Sequence, residues 1–315
     1  MTKKINVIIA GSNGMVGSSL YKTLLNNDKY LPIELNRDSA DLTQPHDVHN
    51  FFKLTSPDIV INCAAKVGGI HANRTYPADF IRDNLLVNLN LTEACHQNGV
   101  KRFINLGSSC IYPRDAQQPL REEYLLTGPL EKTNEAYALA KIAGLEMCRH
   151  YREQFGVFYH SLMPTNLYGD GDNYNLQNSH VLPALIRKFH EAKISKADTV
   201  EVWGTGKARR EFLHADDLSD AILFLLNLGD VPDIINVGTG VDITISELVS
   251  LVKETVQFEG DILYNTDMPD GTPVKRLDMT IMNGLNWKPK ISLKQGLEKT
   301  YQDFLFRLSN NTLRV

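Results

Sequence analysis

With 315 residues, 43% of them hydrophobic and 22% charged, the chain is long enough for one large or two intertwined domains around an ordinary globular core. A formal net charge of −4 argues against general nucleic-acid binding, so an anionic ligand needs a local cluster of Lys and Arg. No apolar run approaches the ~18 residues of a membrane span, and the four cysteines (Cys63, Cys95, Cys110, Cys148) form no Cys-x-x-Cys pair, which excludes the usual zinc patterns and suits a reducing cytoplasm.

The leading Met1-Thr-Lys-Lys4 is too short for a signal peptide and runs straight into a strand over 5–10, a nearly continuous apolar run of the kind buried on both faces of a parallel sheet. Gly11, Gly14 and Gly17 follow, with Asn13, Met15 and Val16 among them, and an amphipathic helix continues to about residue 26. Glycines between a strand and a helix let the backbone turn tightly and approach a pyrophosphate, so a dinucleotide is the expected ligand. A second strand over 31–35 ends at Asn36-Arg37, about twenty residues past Gly17, where an acidic residue would hold the ribose hydroxyls of NAD. An amide and a guanidinium there suit the 2′-phosphate of NADP, with Asp41 and Leu42 near the adenine.

A third strand over 58–63 runs into Ala64, Ala65, Lys66 and a Gly68-Gly69 pair, small residues against which a cofactor ribose can lie. A long helix over 79–98 and a strand over 102–106 continue the alternation, which predicts an α/β doubly wound parallel sheet. The fourth strand ends in Gly107-Ser-Ser-Cys110-Ile-Tyr-Pro113, beyond the carboxyl edge where such sheets bind ligands. Ser108 is placed to donate to a carbonyl oxygen that becomes an alkoxide, or else to cap its own turn.

The stretch over 135–151 reads as helix, rich in Ala, Leu, Lys, Glu and Met and free of proline. It sets Tyr137 and Lys141 one turn apart on one face. The ammonium is expected to favour the phenolate and lower a phenol pKa of about 10, so that the hydroxyl exchanges a proton near neutrality. Beyond a strand over 157–162 lies Asn166, and a helix starting near 179 carries Arg187 and Lys188. Trp203, Lys207, Arg209, Arg210, Lys275 and Arg276 come later. Singly such cations are solvated surface charges; collected on one cleft they form a diphosphate clamp, with Arg210 the strongest choice because guanidinium grips phosphate bidentately. Trp203 either stacks on a base or packs in the core.

Together, Gly11-x-x-Gly14-x-x-Gly17, Ser108 and Tyr137-x-x-x-Lys141 resemble the extended short-chain dehydrogenases/reductases that act on nucleotide sugars. Longer strings are similar to the GDP-L-fucose synthase family: Ala64 to Ile70, Tyr76 to Ile81, Gly107 to Pro113, Met163 to Gly169, Asn178 to Val181, Arg210 to His214 and Asp270 to Pro273. The resemblance implies an enzyme that epimerises carbons 3 and 5 of GDP-4-keto-6-deoxy-mannose and reduces its carbon-4 ketone with NADPH. It implies Tyr137 as proton donor, Lys141 as its partner, Ser108 as oxyanion donor, and Cys110 with His180 as the epimerising pair. On the residues alone, Cys110 also reads as a small buried thiol and His180 as a residue behind an Asn178-Ser179 helix cap.

The resemblance places Pro164, Asn166, Leu167 and His180 beside the cofactor. It places Ser108, Ser109, Cys110, Asn166, His180, Val181, Lys188, Trp203, Arg210, Asp270 and Lys275 at the sugar nucleotide. It also implies a cofactor domain over 1–165, joined by segments crossing back over about 211–240, a substrate domain mainly over 166–315, and a cytoplasmic homodimer through the two long helices. No metal is expected. The chain departs from the family pattern in Glu131-Lys-Thr-Asn-Glu-Ala-Tyr137, in Ser12-Asn13 where a His-Arg pair is familiar, and in Gly169-Asp-Gly-Asp-Asn173. These leave a GDP-heptose or GDP-colitose precursor as alternative substrates, with or without epimerisation, and a non-catalytic dinucleotide sensor as the rival from another class.

Overall fold

The alternation read from the sequence is realised as β1 (Ile5–Ala10), α1 (Met15–Leu25), β2 (Tyr30–Leu35), α2 (Pro45–Thr55), β3 (Ile59–Asn62), α3 (Ile70–Thr75), α4 (Pro77–Gln97), β4 (Arg102–Leu106), α5 (Glu135–Phe155) and β5 (Phe158–Pro164). The structure, a computed structural model, describes residues 3–268 and 270–315; Met1 and Thr2 of the leading tetrapeptide, and Pro269, lie outside the described residues. All four residues of β3 are buried, as are the last four of β1, because helices cover both faces of the sheet. Each fully buried Val or Ile there contributes about 1.5–3 kcal/mol. Helix α5 runs four residues beyond the expected 151 and stops at Gly156, whose φ of 63° is the left-handed conformation that ends a helix cheaply only in glycine.

The rest of the chain adds β6 (Asn166–Tyr168), α6 (Val181–Ser195), β7 (Thr199–Trp203), β8 (Arg209–His214), α7 (Ala215–Leu226), β9 (Ile234–Val237), β10 (Asp242–Thr244), α8 (Ile245–Val256), β11 (Asp261–Asn265), β12 (Val274–Lys275), α9 (Thr280–Gly284) and α10 (Leu293–Ser309). The main sheet has the order β2-β1-β3-β4-β5-β9 with every pairing parallel, so its last strand arrives from far along the sequence. Helix α7 packs on α1, where Ser19 donates to Asp216 at 2.7 Å and meets Ser219 at 2.8 Å. A separate core built on Leu185, Phe189, Val200, Phe212, Leu248, Val252 and Phe304 supports the β6, β8, β10 and β12 ribbons over the carboxyl edge of the sheet. Among the described residues, no helix is long and apolar enough to cross a membrane.

Candidate active site

Gly11 leaves β1 with φ +79°, and a Cβ there would stand 2.8 Å from the Ala64 backbone, so glycine alone fits. A Cβ at Gly17 would lie 2.2 Å from the Gly11 carbonyl oxygen. Helix α1 therefore starts hard against the strand end, with Gly14 as N-cap and Met15 and Val16 opening its first turn. No side chain caps that turn and no acidic residue occupies it. The buried Ser12 hydroxyl beside it has no hydrogen-bond partner among the described residues. Uncapped N–H groups at the positive end of a helix fit a pyrophosphate.

At the end of β2, the Asn36 amide donates to Asn13 at 3.3 Å, which joins this segment to the glycine loop. Arg37 is exposed. Hydrogen bonds from Thr43, and then the Arg37 charge, hold the Asp41 carboxyl below the usual range against the effect of burial. The Leu42 carbonyl accepts from Asn90 at 2.9 Å. Ala64 N–H donates to Asn62 at 3.0 Å, and Asn84 brackets the Lys66 backbone at 2.9 and 3.0 Å, leaving Ala65 held between two fixed neighbours. The Lys66 ammonium turns to Asp83 at 3.0 Å and Asp79 at 3.4 Å, so this residue offers the cleft its backbone and not its charge.

Strand β4 runs into Ser108, which accepts the Cys110 N–H at 3.2 Å and so does cap its own turn. The same hydroxyl opposes the rise of the Tyr137 phenol and helps lower the Cys110 thiol, so it lies close to both side chains and capping does not exclude the second role. From α5, Tyr137 reaches this turn and meets Phe80 edge-on at 6.4 Å. Lys141 is 3% exposed, donates to the Leu106 carbonyl at 2.7 Å and lies 5.8 Å from the Tyr137 ring centroid. Burial draws its ammonium down to about 8, with Cys63 opposing. The expected lowering of the phenol by Lys141 is not found: burial and then Cys110 push Tyr137 up, and Ser108 alone opposes them. The ammonium is spent on a carbonyl beneath the ring. A protonated phenol is nevertheless the form that donates to an alkoxide.

Burial alone would push the Cys110 thiol up; Lys275, Ser108 and Arg210 together outweigh it and hold the thiol below its ordinary range. The Lys275 ammonium stands 3.4 Å from the sulfur. His180 is itself the N-cap of α6, with Val181 the first helical residue, and its side chain makes no cap bond. Although His180 keeps surface open to the cleft, the protein around its ring and then Lys275 hold the imidazole below the ordinary histidine range. The Asn178 carbonyl accepts from Gly69 N–H at 2.9 Å, so the loop after β3 and the approach to α6 lie against each other.

The cations expected to form one clamp divide into two sets. Arg187 binds Glu191 at 2.6 Å, while Arg209 at 2.5 Å and Arg276 at 3.5 Å share Asp242, and carboxylates thus occupy all three. Among the described residues Arg210 donates to carbonyls, of Arg209 at 2.8 Å and Asp270 at 3.2 Å, and the Asp270 carboxylate receives Thr205 N–H and hydroxyl at 2.7 Å each. Lys188 lies 5.2 Å from the Trp203 ring and donates to the Glu201 carbonyl at 3.2 Å. Trp203 is 47% exposed, which rules out the core reading. Asn166 donates to the Glu211 carbonyl at 2.8 Å, beside Leu167 on β6 and Pro164, which pairs with Val237. Ser109 is buried beneath the turn.

The chain matches the model of the NAD dependent epimerase/dehydratase family over residues 7–238, from within β1 to just past β9. It is 47% identical to the GDP-L-fucose synthase of Escherichia coli over 96% of this chain and 97% of that protein. It is 49% identical to GDP-L-fucose synthase 1 of Arabidopsis thaliana over 98% of this chain and 95% of that protein. The chain belongs to this family, in its GDP-L-fucose synthase branch. A GDP-L-fucose synthetase from Naegleria fowleri bound to NADP shares the fold at a TM-score of 0.92 and 26% identity, covering 100% of this chain and 98% of that one.

Within this epimerase/dehydratase framework, two groups of residues escaped the sequence reading. Asn62 donates to Asn88 at 3.2 Å and Asn105 at 2.9 Å, and Asn88 donates to the Ala140 carbonyl at 3.0 Å, all inside the protein. The available signal was asparagine at strand ends and at helix-interior positions 84 and 88, where it is disfavoured without a partner. Glu211, fully buried, accepts N–H bonds from Gly240 at 2.8 Å and Leu277 at 2.7 Å, and so ties the β9 and β12 loops to β8. No local pattern marked it, because β8 reads Arg-Arg-Glu-Phe-Leu-His and carries other charges beside it.

Proposed function

We propose that the protein converts a GDP-4-keto-6-deoxy sugar by NADPH-dependent reduction at carbon 4, preceded by epimerisation at carbons 3 and 5. The observation that carries this is the convergence of Ser108, Cys110 and Tyr137 on one turn, with Lys141 bonded to the end of β4 and Lys275 acting on both Cys110 and His180. The residues fit the cofactor: the uncapped start of α1 and the Ser12 hydroxyl would hold the pyrophosphate, and Arg37 the 2′-phosphate. When bound, the dinucleotide supplies the hydride. Tyr137 gives its proton to the ketone oxygen as charge develops there, Ser108 donates a hydrogen bond to the same oxygen, and Lys141 keeps α5 seated on β4 and reaches the ribose. Cys110 takes the proton alpha to the ketone, and His180 returns one from the other face.

Arg210, Lys275, Lys188 and Asp270 line the sugar-nucleotide side, and exposed Trp203 offers a stacking face for the base. Residues 1–165, completed by about 211–240, serve the cofactor, and 166–315 mainly the substrate. Exposed Leu85 and Leu89 on α4 and Leu139 on α5 support a homodimer through these helices. Four free cysteines support a cytoplasmic location.

The test is turnover of GDP-4-keto-6-deoxy-mannose with NADPH, followed by NMR of the product, with a parallel incubation in deuterium oxide lacking NADPH. GDP-L-fucose, and deuterium at both alpha carbons, are expected. Reduction without any exchange would make this protein a reductase only.

A further inference from the structure

A cysteine that abstracts a proton beside a histidine is usually read as half of a thiolate–imidazolium pair. The cleft is arranged differently. Among the described residues, the Cys110 sulfur has Lys275 as its charged hydrogen-bond partner, at 3.4 Å, and no hydrogen bond joins it to His180. We infer that Lys275, and not His180, is the counter-ion that keeps Cys110 ionised as the resting base. Lys275 acts through the sulfur and is a positioning residue. The inference rests on the epimerase reading above.

The groups around the sulfur come from every wall of the cleft. Ser108 lies on its own turn, Tyr137 on α5, Arg210 on β8, Lys275 on β12 and His180 at the head of α6. Arg210 adds a second positive charge, and Glu131 beside this turn is neutralised by Arg114 at 3.5 Å. Lys275 also disfavours a proton on His180. One ammonium therefore promotes the thiolate and suppresses the imidazolium, the opposite of what a thiolate–imidazolium pair needs.

The step balances. The proton alpha to the ketone moves to Cys110 Sγ, forming S–H and breaking C–H, and the electron pair becomes an enolate whose oxygen faces Ser108 and Tyr137. His180, protonated from water as the enolate charge forms, then gives that proton to the opposite face and returns to the neutral imidazole, and Cys110 returns its proton to water before the next round. Lys275 faces a thiolate before the transfer and the enolate after it.

The experiment is the pH dependence of Cys110 alkylation by iodoacetamide, read peptide by peptide by mass spectrometry, in the full chain. Cys63 and Cys148 are pushed up to about 12 by burial and Cys95 also lies far above its usual value, while Cys110 is held below its own, so alkylation at the lower pH values reports Cys110. Lys275→Met should raise the Cys110 midpoint by about one unit, cutting alkylation near neutral pH about tenfold. Lys275→Arg should restore it, and His180→Asn should leave it in place. A midpoint that moves in His180→Asn and not in Lys275→Met overturns the assignment. Should Lys275→Met not fold, thiolate absorbance of the unmutated chain against Cys110→Ser decides, and a midpoint at or above the ordinary thiol value overturns it. No sugar or dinucleotide enters this titration, so its failure is distinct from failure of the turnover test.

Discussion

Tyr137 and Lys141 stand one helical turn apart, and their separation on α5 follows from helix geometry alone. Where the ammonium points does not, because the Leu106 carbonyl that takes it lies on another element and is brought close only by the packing of α5 on β4. For that reason the pairing was legible in the sequence and the phenol's shift was not. The consequence for chemistry is that Tyr137 acts as a stored proton, released only when an alkoxide forms beside it. Tyr137→Phe should bind NADPH as the parent does and lose about 10²–10⁴ in the rate of ketone reduction, measured by NADPH oxidation in single turnovers. A rate near that of the parent would remove Tyr137 from the proton-donating role.

Helices α4 and α5 carry the Asn88–Ala140 bond, and their approach is set by a glycine. A Cβ on Gly144 would stand 2.5 Å from the Asn88 amide nitrogen, so neither residue can change alone. Gly144→Ala should destabilise the protein by roughly 1–3 kcal/mol through overpacking, and Asn88→Ala by a similar amount through loss of a buried hydrogen bond. The double variant should fall well short of their sum, because the clash disappears with the amide. Urea unfolding of the three variants checks this, and strict additivity would show that the two sites do not touch. At this scale most boundaries were legible from periodicity and glycine, to within a few residues. The asparagine network was not, since it joins residues from two strands and two helices through side chains that no local pattern orders.

Across the whole molecule, Asp172 links the turn after β6 to the C-terminal tail. It is buried, one carboxylate oxygen has no hydrogen-bond partner among the described residues, and burial raises it from 3.8 to about 7 despite Asn173 N–H and Arg314. The folded chain therefore holds a proton that the unfolded chain loses near 3.8, and stability declines as pH rises through the window from 3.8 to about 7. Asp172→Asn should remove a penalty of roughly 2–4 kcal/mol near pH 8 and change little near pH 4. Urea midpoints at the two pH values check it; an equal gain at both would show that ionisation is not the cause. The parallel alternation was legible through β5, and the return of about 211–240 came only with the family resemblance, because nothing local marks β9, from so distant a segment, as a neighbour of β5.

That late strand has a bearing on how the protein is made. A ribosome releases β5 long before β9, and until β9 and the apolar face of α7 emerge, β5 has one unpaired edge and the shared core around Leu218, Ile222, Ile235 and Trp287 is missing. At roughly 5–20 residues per second the nascent chain spends several seconds in that state. An open, hydrophobic edge invites pairing with another chain. Messages cut short before residue 234 thus yield aggregating fragments and chaperone clients, not a smaller reductase, and the cofactor half of the molecule cannot be inherited separately from the segment that closes it.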